Sequence, residues 1–196
     1  MLKKLSTDTK PEDSIPDLFT ESSKQLAEKG IYLIDKEISN ENLIDTYQDI
    51  LLKKINKWEG SITLIVNSPG GSATATWSFI DLLKNTPYQI LTVGTGEICS
   101  GGAMIFAAGT KGCRKLTRNA SILIHEARVA TDENTMLQHR AQMKGMEQEH
   151  KRHIRFWLEV STLKTEQRVK KFFLNKEDNY FTPEECLSFG IADQIL

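Results

Sequence analysis

The run Ile62-Thr63-Leu64-Ile65-Val66 constrains this chain more than any other segment. It carries no charge and is rich in β-branched side chains, so it reads as a strand with no polar face to offer to water. Such a strand needs cover on both sides, which a parallel sheet flanked by helices supplies. The turn Asn67-Ser68-Pro69-Gly70-Gly71 follows at once. A helical pattern then runs from about Ser72 to Asn85 and stops before Pro87. Strand, tight turn and helix in that order make half of a βαβ unit.

The rest of the chain keeps this alternation, which predicts an α/β fold. Residues 1–16 are polar, carry Pro11 and Pro16, and read as a flexible arm ahead of a single domain over 17–196. A short helix ends at Gly30 and a strand covers Ile31 to Ile34. Leu43, Ile44, Tyr47, Ile50, Leu51, Ile55 and Trp58 recur at helical spacing, with Ser39 or Asn40 as the cap. Ile90 to Val93 is a strand broken by Gly94 and Gly96, and Ser100-Gly101-Gly102 opens an apolar helix over Ala103 to Ala108. Strands follow at Cys113 to Leu116 and Ser121 to Ile124. A long polar helix is expected from about Asp132 to Val160, with the stripe Met136, Met143, Met146, Ile154 and Trp157. A shorter helix spans about Thr165 to Leu174. Thr182-Pro183-Glu184-Glu185 starts another with a capping box, and Ile191 to Ile195 is the last strand.

Composition excludes several function classes. With a net charge of -1 the chain has no electrostatic basis for holding nucleic acid or an anionic membrane. The run Lys151-Arg152-His153 reads as a solvated helix face, and His139 and His150 share that reading. Cys99, Cys113 and Cys186 show neither zinc-ligand nor disulfide spacing, so reduced thiols, no metal and a cytoplasmic setting are expected. No stretch approaches the ~20 apolar residues of a membrane span, and no signal-type apolar segment follows Met1. The Ser68-Pro69-Gly70-Gly71 turn lacks the Gly-Lys-Ser/Thr ending of a phosphate loop.

Two glycine-rich turns, each between a strand and a helix, aim main-chain N–H groups at whatever lies beyond the helix start, including a transition-state oxyanion. Ser100 sits in the second, where a serine serves either as a helix cap or as a nucleophile. His125 ends the apolar strand Ile122-Leu123-Ile124, as a surface histidine or as a general base. Asp178 precedes Tyr180-Phe181-Thr182-Pro183, as a turn residue or as the carboxylate that orients an imidazole. Spacing alone does not bring the three together.

Four blocks in order, IVNSPGG (65–71), GEICSGGAMIFAAGTKG (96–112), ILIHEA (122–127) and EDNYFTPEECLSFGIADQI (177–195), resemble the proteolytic subunit of the Clp protease family. The resemblance covers the chain from about Ile31 onward. It implies that Ser100 is the nucleophile, His125 the base and Asp178 the acidic member, with Gly71 and Gly101 as oxyanion donors. It implies a βαβ spiral of the Clp protease and crotonase type with a projecting helical handle, about residues 128–175. It implies homo-oligomeric seven-membered rings, a polypeptide substrate and an AAA+ unfoldase partner that would use the ATP, with no cofactor in this chain. The sequence departs from the family pattern at Cys99 and Gly101 (usually Ala and Met), at Glu126-Ala127 (usually Gln-Pro) and at Glu177 (commonly an arginine used between rings). The resemblance therefore carries least at the substrate groove and at the ring-to-ring contact. A catalytically silent ring subunit, a phage-type capsid-maturation peptidase and a signal peptide peptidase of the SppA type are the competing expectations.

Overall fold

A computed structural model describes residues 18–127 and 135–196. The expected arm over 1–16 and the first part of the expected handle, 128–134, lie outside the described residues. The elements are α1 (Leu18–Glu28), β1 (Ile31–Ile34), α2 (Asn40–Ile55), β2 (Ile62–Ser68), α3 (Ala73–Lys84), β3 (Ile90–Cys99), α4 (Gly101–Ala107), β4 (Arg114–Leu116), β5 (Ser121–Ile124), α5 (Met136–Val160), α6 (Glu166–Phe172), β6 (Asn179–Phe181), α7 (Pro183–Ser188) and β7 (Gln194–Ile195). The fold is α/β. Strands pair in the order β1-β2-β3-β4-β7, all parallel. β5 runs parallel to the upper part of β3 and antiparallel to β6.

Glycine does not break β3 as its chemistry suggests. The strand runs through Gly94 and Gly96 to Cys99. Val66 pairs with Gly94 and Ser68 with Ile98, so β3 bulges outward between those pairs. Gly96, at φ 59, turns the bulge. A Cβ on Gly94 would lie 2.6 Å from Leu116 Cδ2 and 2.8 Å from Ile98 Cδ1. Below the bulge β3 pairs with β4, above it with β5. The bulge lets one strand change partners, and the second partner carries His125.

Burial of β2 is one-sided, against the expectation of cover on both faces. Ile62, Leu64 and Val66 are fully buried on the face that α4 covers, and every residue of α4 is buried. The opposite face, with Leu33, Ile65 and Val93 in register across β1, β2 and β3, is only half-buried, and Leu33 is 46% exposed.

Among the described residues the long helix runs from Met136, and the expected start at Asp132 lies outside them. Thr135 has extended φ and ψ, caps the Gln138 N–H, and completes a capping box with that side chain. The apolar stripe divides in two. Met136, Leu137 and Met143 are exposed, whereas Ile154, Phe156 and Trp157 are buried. Edge-on contacts then run from Trp157 to Phe173, Phe173 to Phe181 and Phe181 to Phe189, fastening the root of α5 to α6, β6 and α7. His153 is a correction to the solvated basic run. It is 7% exposed and packs against Trp77, the two rings tilted by 60° with centroids 5.3 Å apart. Burial lowers its pKa, with Glu149 acting in the opposite direction.

The last strand is also shorter than expected. Ile191 N–H returns to the Cys186 carbonyl, so only Gln194 and Ile195 join the sheet. Just before them, the buried Arg114 donates to Asp193, to the Val160 carbonyl and to the Gly190 carbonyl. Burial by itself pushes the Asp193 carboxyl up, but the hydrogen bonds and charge of Arg114, with the Gly112 N–H, together hold it below its ordinary value. A carboxyl depressed by folding contributes stability above its unfolded pKa and loses it as pH falls through the folded value. Arg114→Met is therefore expected to cost about 3 kcal/mol at pH 7. The deficit should begin to shrink below about pH 4, where the unfolded carboxyl takes up a proton while the paired one is still ionised. Urea unfolding at pH 7 and pH 3.5 reads both, and an equal loss at the two pH values would contradict the pairing.

Candidate active site

Ser100 stands alone between the end of β3 and the start of α4. Its N–H donates to the Leu123 carbonyl (2.8 Å), and its carbonyl accepts from Met104 (3.1 Å). Both ends of the residue are held, and the turn is made with φ 52 and ψ -117, a region that serine rarely occupies. The hydroxyl makes no capping bond. Ser100 thus occupies the cap position without capping, in a conformation that costs about 1–3 kcal/mol.

The first glycine turn packs against the second. Buried Ser68 donates its hydroxyl to the Lys36 carbonyl (2.6 Å) and accepts from Gly70 N–H (3.2 Å). The Gly70 carbonyl accepts from Ile38, whose own carbonyl accepts from Ser72, both at 2.7 Å. Gly70, at φ 87, comes so near that a Cβ there would lie 2.7 Å from Ser100 Cβ and 3.1 Å from Gly101 N. Gly101 in turn abuts the buried Thr76 hydroxyl. Among the described residues no hydrogen bond takes up the Gly71 or the Gly101 N–H. The sequence reading singled out Gly71 and Gly101 but missed Gly70. Its signal was the Gly-Gly pair itself, of which one member serves the approach of the backbones.

Strand register brings the remaining residues alongside. Cys99 pairs with Leu123, so Ser100 and His125 leave adjacent strands at the same end. Ile124 pairs with Asn179, so His125 and Asp178 are the next positions outward on β5 and β6. Since β5 lies between β3 and β6, the imidazole-bearing strand end is flanked by the hydroxyl-bearing and carboxylate-bearing ones. Neighbouring strands are about 4.8 Å apart. Asp178 directly precedes the strand β6, which begins at Asn179. Asn179 secures that strand start: its amide donates to the carbonyls of Ile124 (3.2 Å) and Glu177 (3.0 Å) and to Asn175 Oδ1 (3.0 Å).

His125 Nδ1 lies 2.7 Å from the Glu126 carbonyl oxygen. A carbonyl only accepts, so Nδ1 carries the hydrogen and the neutral ring leaves Nε2 as its acceptor. Cys99, next to Ser100, is no rival nucleophile. Burial and then the neighbouring Glu97 push its thiol up to about 11, so it stays protonated at neutral pH. Among the described residues no group of three or more His, Cys, Asp or Glu side chains could hold a metal ion, and no helix is long and apolar enough to cross a membrane.

A parallel-sheet α/β protein with a strained serine at a strand–helix junction, and an imidazole on the adjoining strand, has the residue types of a hydrolase that works by acyl transfer. Comparison with known proteins is specific: the Clp protease family profile matches residues 17–196, and the chain belongs to that family of peptidases. It is 28% identical over 185 residues to the ATP-dependent Clp protease proteolytic subunit 2 of Thermobifida fusca (91% of this chain, 86% of the relative). It is 33% identical over 177 residues to subunit 1 of Leifsonia xyli subsp. xyli (87% and 85%). It is 31% identical over 179 residues to subunit 1 of Tropheryma whipplei strain Twist (88% and 82%).

Proposed function

We propose that this chain is a serine endopeptidase that cleaves polypeptides within an oligomeric chamber. The observation that carries the reading is the strand order β3-β5-β6, which sets His125 between Ser100 and Asp178. In this mechanism Nε2 of His125 takes the Ser100 proton as the hydroxyl oxygen attacks a peptide carbonyl. The tetrahedral oxyanion is held by the Gly71 and Gly101 N–H groups. Collapse expels the amine, which receives the proton from His125. Water, activated by the same base, then releases the acyl group and restores Ser100. Asp178 steadies the imidazolium. Residues 17–196 form one peptidase domain, with α5 as the core of the handle.

Oligomerisation is supported by the half-covered face of the sheet. Leu33, Ile65 and Val93 form an apolar strip that one chain leaves partly open, as a surface covered by a second copy would be. The relatives' name, ATP-dependent Clp protease proteolytic subunit, supports a separate ATP-using partner, an AAA+ unfoldase of the Clp type, that delivers unfolded polypeptide to rings of this chain in the cytoplasm. On this reading the chain itself needs no cofactor. Leu33→Asp is expected to reduce the assembly to smaller species in light scattering while the far-ultraviolet circular dichroism stays native. An unchanged particle mass would remove the strip from the interface.

The reading is tested by a fluorophosphonate probe on the assembled protein. Wild type should be labelled and Ser100→Ala should not. Labelling that persists in the variant would sink Ser100 as nucleophile. Absence of labelling in an assembled wild type would favour a silent ring subunit.

A further inference from the structure

The candidate acid and base stand at neighbouring strand ends, and one side-chain nitrogen reaches the main chain ahead of both. Asn179 Nδ2 donates to the Ile124 carbonyl at 3.2 Å and to the Glu177 carbonyl at 3.0 Å. Those carbonyls belong to the peptide groups that lead directly into His125 and Asp178. The same nitrogen donates to Asn175 Oδ1 at 3.0 Å, and Asn175 Nδ2 donates back to Asn179 Oδ1 at 2.9 Å. The two amides thus close a ring of reciprocal hydrogen bonds. Asn175 Oδ1 also accepts from the Glu177 N–H at 2.9 Å, and its Nδ2 donates to the Lys171 carbonyl in the last turn of α6 at 3.2 Å. Carbonyl oxygens only accept, so Ile124 and Glu177 fix which end of the Asn179 amide is nitrogen, and Lys171 does the same for Asn175. Strand pairing of Ile124 with Asn179 needs no particular side chain at 179. What the amide adds to the pairing is the hold on residue 177.

We propose that Asn179, braced by Asn175, is a positioning residue that sets Asp178 against His125. The inference rests on the reading of those two residues as acidic member and base. β6 begins only at Asn179, and Glu177 and Asp178 are exposed, so neither sheet pairing nor core packing fixes the main chain ahead of the acid. The amide supplies that hold through the Glu177 carbonyl. Its bond to Ile124 ties the same point to the strand that bears the base. Asn175 keeps the amide from turning, because both of its own amide ends are taken by fixed partners. Among the described residues none of the hydrogen bonds of the Asn179 side chain goes to the Ser100 hydroxyl or to the His125 ring, so it takes no part in proton transfer.

The test measures the rate of fluorophosphonate labelling at Ser100, together with kcat and KM for a fluorogenic peptide, on assembled protein at neutral pH. It compares wild type with Asn179→Ala, Asn179→Asp, Asn175→Ala, Asp178→Ala and the double variant Asn179→Ala/Asp178→Ala. Asn179→Ala is expected to be labelled about tenfold more slowly than wild type, short of the hundredfold that a displacement of about 1 Å at a reacting group costs. The loss should fall on kcat and leave KM within about twofold, because the amide acts on acid and base and not on bound peptide. Asn179→Asp keeps the shape but turns an oxygen toward the two carbonyls, so it should be at least as slow as Asn179→Ala. Asn175→Ala should show a smaller loss of the same kind, about threefold. It lies outside β6 and carries the test if the Asn179 variants do not assemble. Where Asp178 is already alanine, removing the amide should cost less than about threefold, since the residue through which it acts is gone. Wild-type rates in assembled Asn179→Ala and Asn175→Ala, a loss confined to KM, or losses that multiply in the double variant would overturn the positioning role alone. A wild type that is never labelled at Ser100 would overturn the acid and base reading and this inference with it.

Discussion

Ser100→Ala is expected to lower peptide-hydrolysing kcat by about a million-fold, the scale seen when a serine hydrolase loses its nucleophile. The few thousand-fold advantage over water that survives such a loss comes from the oxyanion donors and from binding. Here those would be the Gly71 and Gly101 N–H groups. A fluorogenic peptide assay at neutral pH, with the particle mass checked in parallel, measures the effect. Stability should move differently. Alanine keeps a Cβ at φ 52 and so keeps the strain, whereas glycine adopts that conformation freely. Ser100→Gly is therefore expected to be more stable than Ser100→Ala by about 1 kcal/mol or more, and equally inactive. Equal stability of the two variants would mean that the serine turn stores no strain.

The second large effect is expected at a residue that performs no chemistry. Gly70→Ala introduces a Cβ 2.7 Å from both the Cys99 carbonyl oxygen and Ser100 Cβ, at a φ of 87 that L-residues rarely adopt. The contact is with the Cys99 backbone and with Ser100 Cβ, so it cannot be relieved by rotating a side chain. The two turns must part. A displacement of the order of 1 Å at the reacting group costs about a hundredfold in rate. Overpacking and the unfavourable φ together cost about 3 kcal/mol in stability. Labelling kinetics under conditions where the variant is folded separate the two. If the folded fraction is labelled at the wild-type rate, Gly70 serves the fold and not the site.

Much of this architecture is written in local signals. Ser39 and Thr182 cap their helices as expected, Ser72 and Thr165 stand as caps at the expected helix starts, and Ile31–Ile34 and Ser121–Ile124 are strands within the anticipated limits. The failures have a common cause. Gly94 and Gly96 look like strand breakers, yet they lie inside β3 because neighbouring Leu116, Ile98 and Asn67 leave no room for a Cβ. Asn179–Phe181 looks like loop and is a strand because Asn179 is tied to Ile124 and β5 offers it an edge. His153 looks solvated and is buried because Trp77 of α3 covers it. In each case a partner distant in sequence outweighs a local preference of about 1 kcal/mol or less.

The candidate site divides along the same line. The residue types and their order were legible: a serine and two glycines after a strand, a histidine at a strand end, and an aspartate before a capped helix. Hydroxyl, imidazole and carboxylate chemistry belongs to those side chains wherever they stand. Their convergence was not legible, because it depends on two pairings between segments far apart in the chain. Cys99 meets Leu123 only because β3 bulges and changes partner, and Ile124 meets Asn179 only because β6 returns antiparallel. The sequence by itself determined an α/β chain with the materials of an acyl-transfer site. The tertiary structure decided that Ser100 is strained instead of capping, and that His125 stands between Ser100 and Asp178 at neighbouring strand ends. Periodicity and caps report on interactions within a few residues, whereas register and strain are set by contacts that form when distant segments pack.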